Sequence, residues 1–310
     1  MTSPFRFNRL VHSDWSVLPA KRWTAVALSL QDNWLIEHLV PTPSPDRLLD
    51  DLLKPGIRTL AGFDFPIGLP SAYLDRTGLN FLDLMSEPCS MHARRFFTPA
   101  ETLFDISPTQ PFYRTHPAGG RHADLCERLG CVSFDELLRD CDKATENRLR
   151  AESVFWTVGA KQVGKAALCG WREVLIPALR RGGRLWPFDG VLAELDTGGL
   201  TIAEAYPAEA YRHIGIRGLV GKRSQQGRTT ASRILLEWAS RHGVRFDPDI
   251  VRRLYDGFGA GGDGEDAFDA LAGLCGMIEV VAGRRAEMAD DRTVRAQREG
   301  WILGQTDLPL

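Results

Sequence analysis

With 310 residues, 44% of them hydrophobic, the chain can bury one large or two average cores, which excludes a disordered or fibrous protein. A formal net charge of −2 with 25% charged residues gives no global positive field, so any nucleic-acid contact must come from local basic clusters. No run approaches the roughly 18 apolar residues of a membrane span, the first residues lack a signal-like apolar stretch, and six cysteines lack paired spacing. The expectation is a soluble, cytoplasmic chain with reduced thiols and no membrane partner.

Residues 10–13 read as a strand, 23–30 as a second rich in β-formers, and 34–40 as a third. The run 43–54 supplies a helix start, apolar residues at 48, 49, 52 and 53, and a stop at Pro55-Gly56. Residues 58–65 return to strand character, and a helical crossover lets this strand lie beside the first, bringing Asp14 and Asp64 together. From about residue 71 the pattern changes to loops rich in Pro, Arg and aromatics, with helices expected at 134–151 and 165–181. The expected division is an α/β core from 1–70 and 190–310 and an insertion or substrate-covering cap at 71–189.

Sheet character resumes at 190–195 and 200–206, which predicts a hairpin around Asp196-Thr-Gly-Gly. Helices follow at 230–242, 249–255 and 265–283, the last after a glycine-rich loop at 257–264. That loop lacks the spacing of a phosphate cradle and reads as a flexible approach to the last helix.

Five acids end or interrupt hydrophobic segments: Asp14, Asp64, Glu204, Asp266 and Asp269. A buried carboxylate costs several kcal/mol or more unless a cation, donors or a proton offsets it, so their distribution suggests a shared cation. Asp266 and Asp269 lie three apart on a helix and face the same way. Hard oxygen ligands suit Mg²⁺ or Mn²⁺, and two such cations roughly 3.5–4 Å apart serve phosphoryl transfer. The structural readings are a first-turn helix residue for Asp266 and a turn cap for Asp64.

Lys161, Lys165, Arg94 and Arg95, together with Lys222, Arg223 and Arg228, are candidate phosphate contacts, although each alone is more often a solvated charge. Trp171, Trp186 and Phe188 suit base stacking or, more commonly, a core. A zinc site from His116, His122, Cys126, Cys131 and Cys141 lacks any Cys-x-x-Cys. Neither a Gly-x-Ser-x-Gly elbow nor a His-Glu-x-x-His occurs, so serine hydrolase and zinc protease readings have no footing.

The ordered series Gly62-Phe-Asp-Phe-Pro-Ile-Gly-Leu-Pro, Ala203-Glu-Ala-Tyr-Pro-Ala, Arg233-Ile-Leu-Leu and Glu265-Asp-Ala-Phe-Asp-Ala-Leu-Ala resembles domain-of-unknown-function family 429, described as ribonuclease H-like nucleases. The resemblance implies an α/β fold with a ribonuclease H-like mixed five-stranded sheet flanked by helices, its first three strands antiparallel, and here a large helical and loop insertion between strands 4 and 5. It implies acids on the first strand (Asp14), the fourth strand (Asp64) and the final helix (Asp266 and Asp269), with Glu204 in the family's Glu-x-Tyr-Pro motif on the fifth strand. The expected function is metal-dependent phosphodiester hydrolysis of nucleic acid or a nucleotide. The alternatives are an actin- or sugar-kinase-like phosphotransferase using ATP and a non-catalytic binding module.

Overall fold

The computed structural model describes residues 6–31, 33–113, 120–159, 162–216 and 221–310. Seven strands form one mixed sheet: β1 (Arg9–Asp14), β2 (Trp23–Leu30), β3 (Asn33–Pro41), β4 (Thr59–Phe63), β5 (Arg184–Leu185), β6 (Leu200–Glu204) and β7 (Arg245–Phe246). Their order across the sheet is β5-β6-β4-β1-β2-β3-β7. The first three strands make an antiparallel meander, while β4 runs parallel to β1 and β6 parallel to β4. Strands β4 and β6 are buried along their whole length, which is why they read as continuous apolar segments without polar alternation.

The period of two along the central strands divides the apolar residues between two cores. Leu10, Leu60 and Ala203 face one core, under the helices Gln225–His242 and Asp263–Val281, which contribute Leu235, Trp238, Leu271 and Ile278. Val11, Ala61 and Ile202 face the other, under the helix Pro45–Leu52 and the aromatic residues of the insertion, among them Phe96 and Trp171. The insertion is therefore the second helical layer of the sheet, sharing its core, and it also supplies the edge strand β5.

Four local expectations are corrected. The sheet has seven strands because two-residue edge strands, too short to leave a periodic signal, extend the five central ones. No hairpin precedes β6: Leu192–Leu195 is a short helix, since an apolar run of that length fits either conformation. Residues 134–151 form short 3-10 turns at Phe134–Leu137 and Asp140–Asp142, where buried charges rather than an apolar stripe fix the backbone. The helix expected at 165–181 exists from Val163 to Arg180, but passes through a π-helical stretch at Trp171–Leu175 next to Pro177, which lacks the N–H a regular helix needs. Trp171, Trp186 and Phe188 are core residues: both indoles are fully buried, with Nε1 donating to the Pro66 carbonyl and to Glu287, and Phe188 stacks on Phe81.

The last residues fold back as a strap. The Leu303 amide donates to the Glu204 carbonyl at 2.8 Å. Glu299 accepts bonds from the Ser71 amide and hydroxyl and from the Asp140 amide. Among the described residues no helix is long and apolar enough to cross a membrane.

Candidate functional site

Parallel pairing of Ser13 with Phe63, and of Phe63 with Glu204, aligns the C-terminal ends of β1, β4 and β6. Asp14 and Glu204 are the last residues of their strands, and Asp64 lies one beyond the end of β4. Register thus gathers three of the five acids on one sheet edge, the position where ligands bind open α/β sheets. The long helix Asp263–Val281 crosses behind β1 and contributes the other two.

His12 fixes that crossing. Its ring is fully buried, with Nδ1 at 3.0 Å from the Ala270 carbonyl and Nε2 at 2.9 Å from the Ala205 carbonyl, so it ties β1 to the last helix and to the end of β6. Gly273 makes the approach sterically feasible, because a Cβ there would stand 2.2–2.5 Å from the imidazole.

Asp14 and Asp64 are hydrogen-bonded to each other, and the Trp15 amide donates to Asp64 Oδ1 at 2.6 Å. Burial, then the neighbouring Asp64 and Asp269 charges, push Asp14 up to about 11. Burial likewise raises Asp64 to about 7, against the pull of the Trp15 amide and the Asp14 hydrogen bond. Among the described residues no ion pair reaches either carboxyl, and with both pKa values raised the half-buried pair is expected to hold a proton between them near neutral pH.

The helical acids differ from each other. Burial raises Asp266 to about 6, with Lys21 opposing, and the Asp266 charge in turn acts on Asp14. Asp269 is engaged on both oxygens: the Tyr211 hydroxyl donates to Oδ1, and Lys222 Nζ lies 2.7 Å from Oδ2 and 3.2 Å from Glu265. Among the described residues no three Asp, Glu, His or Cys side chains converge as a group able to hold a metal ion. Lys222 accounts for part of this, since its ammonium occupies one side of Asp269.

Glu204 borders the same cleft as Asp64, yet its carboxylate is satisfied from within the protein. Arg139 of the insertion grips it with two bonds of 2.6 and 2.9 Å, the Ile67 amide donates to it at 2.7 Å, and Arg139 also pairs with Asp142. Burial raises the Glu204 carboxyl and Arg139 lowers it; the guanidinium, fully buried among acids, is held well above its ordinary value. This is a paired structural network, and the expectation of a free fifth ligand does not describe its geometry.

The basic candidates separate. Arg94 and Arg95 are exposed on the short helix Met91–Phe96 and line an open groove with Cys89, Met91 and Gln110. Lys165 is half-buried on the helix Val163–Gly170, beside the cleft-lining Val163 and Ala166, and Lys161 lies outside the described residues. Arg228 is fully buried and donates to the carbonyls of Lys222, Gly257 and Gly259, so it holds the glycine loop instead of a phosphate. The loop is anchored, contrary to the expectation of a flexible tether. Arg223 and Arg233 are exposed. Of the zinc candidates, His122 bonds Glu152 at 2.9 Å, Cys141 is buried beside Arg139, and His116 lies outside the described residues.

Arg139, Tyr211, His12 and Gly273 were not singled out by sequence reasoning. Their only sequence signal is an unusual character for their surroundings, such as a histidine inside a buried strand. Comparison with known proteins finds no matching family model, no matching curated protein and no matching solved structure.

Proposed function

We propose that this chain is a metal-dependent phosphodiester hydrolase of ribonuclease H-like architecture, acting on nucleic acid or a nucleotide. The observation that carries the reading is the Asp14–Asp64 pair: two hydrogen-bonded carboxyls at the ends of parallel strands, close enough to Asp266 and Asp269 to feel their charge, with no protein cation on the pair among the described residues. The resemblance of the motif order to the ribonuclease H-like family and the β6-β4-β1-β2-β3 order of the five long strands support it. The donor set is hard carboxylate oxygen, which fits Mg²⁺ or Mn²⁺, with Asp14 and Asp64 as the pair that would hold it.

Such a cation supplies Lewis-acid polarisation of a phosphoryl oxygen and a water made acidic enough to attack. The chain supplies the rest. The Trp15 amide orients Asp64, and His12 holds the helix at its distance. Lys222, fixed by Asp269 and Glu265, would place a positive charge beside the helical acids when a phosphate binds. Glu204 acts by positioning, through Arg139.

The test is thermal unfolding with Mn²⁺ or EDTA alongside cleavage of labelled single-stranded, duplex and RNA oligonucleotides. Wild-type protein should melt higher with Mn²⁺, by mass action, and cleave in its presence. A melting temperature unmoved by millimolar Mn²⁺ and Mg²⁺ would sink the reading.

A further inference from the structure

A cavity of about 320 Å³ opens beside Asp64, walled by Pro66 and Tyr206 from the core and by Arg148, Gln162, Val163 and Ala166 from the insertion. We propose that this cavity receives the base of a single unpaired nucleotide whose phosphate lies at Asp64. The inference rests on the phosphodiesterase reading and specifies its substrate.

Size is the first argument. The volume lies at the lower end of small-molecule sites, roughly 300–1,000 Å³, and suits one nucleotide rather than a stacked pair. The insertion supplies the facing wall, and a space of this volume has no room for a base pair, so a base has to leave its partner to enter. A strand must present an unstacked base, as enzymes that act on individual nucleotides require.

Wall chemistry is the second argument. Pro66, Val163 and Ala166 are apolar, and Tyr206, at 39% exposure, offers a ring on which any base can stack. Gln162 carries an amide, the group that pairs with base edges. Asp142, Glu152 and Glu204 on the same wall are engaged with Arg139 and His122 and offer phosphate no cation, and Arg148 is turned toward Glu209 and the carbonyls of Cys141 and Lys143. A neutral ring therefore belongs in the cavity, with the charged phosphate at the Asp64 end.

The chemistry is shared by a free nucleotide and a single strand, and the experiment separates them. Binding of a fluorescent single-stranded oligonucleotide is measured in Ca²⁺ against its duplex and against an unlabelled nucleoside monophosphate as competitor. The single strand should bind at least about tenfold more tightly than the duplex, and displacement by the mononucleotide at comparable concentration assigns the free nucleotide as ligand. Ala166→Phe, which fills the cavity, should weaken strand binding about tenfold or more, and Tyr206→Ala, at a half-exposed position, about fivefold or more. Both variants should keep the Mn²⁺ shift in melting temperature.

Equal affinity for duplex and single strand, or undiminished binding in both variants, overturns the cavity proposal while leaving the metal reading intact. Absence of both the Mn²⁺ shift and any binding in the wild type overturns the two together.

Discussion

Two carboxylate centres sit on one edge of the same sheet and solve the same electrostatic problem differently. At the end of β6, Glu204 is buried with Arg139 against both its oxygens, and the pair is closed by the Ile67 amide. At the ends of β1 and β4, Asp14 and Asp64 are half-buried against each other with no protein cation, and their pKa values rise. Where the chain brings its own counter-ion, the acid is architecture. Where it leaves two acids facing each other, the fold tolerates a cost that protonation lowers and that the cation proposed above would lower further.

The largest expected effect breaks the paired centre. Arg139→Leu leaves Glu204 and Asp142 buried without their cation and should cost about 3–5 kcal/mol, read by urea unfolding. Adding Glu204→Leu should recover part of that loss, and a double variant no more stable than the single one would argue against the pairing. The next effect separates the centres. Gly273→Ala forces a methyl into the His12 ring and should destabilise by about 1–3 kcal/mol while weakening Mn²⁺ stabilisation, whereas Arg139→Leu should leave the Mn²⁺ shift of its folded population in place.

A third prediction uses pH. The folded-state value of Asp64 is raised to about 7, above the unfolded value, so its protonation stabilises the fold at low pH and that contribution is lost as pH rises through 7. Metal-free wild type should lose roughly 1 kcal/mol between about pH 6 and pH 8, and Asp64→Asn should flatten this limb. The smallest effect is in the same variant at fixed pH. Above neutrality, metal-free Asp64→Asn should be as stable as wild type or more so by ~1 kcal/mol, having lost an acid that only a bound cation needs. A clear loss of stability would make Asp64 a structural residue.

The parts of this contrast legible in the sequence were those written locally. Strands β1 to β4 and the helix between β3 and β4 announce themselves by period and punctuation, and Asp14 and Asp64 stand out because each follows an apolar strand. Arg139 was not legible, since its partner lies 65 residues away and its own segment has no period to reveal burial. Glu204 shows the limit from the other side: an acid ending a hydrophobic strand was recognised as needing a partner, but the partner's identity is a tertiary fact. Lys222 was read as a phosphate contact, and the fold sets it first against Asp269.

The strap formed by residues 299–303 has a consequence for biosynthesis. Glu299 joins Ser71 to Asp140, and Leu303 completes the hydrogen bonding of the Glu204 carbonyl, so two distant stretches are sewn together by residues that are synthesised after both of them. A nascent chain halted near residue 295 should therefore carry a formed β1–β4 sheet beside a protease-sensitive insertion, and one extended past Leu303 should protect it.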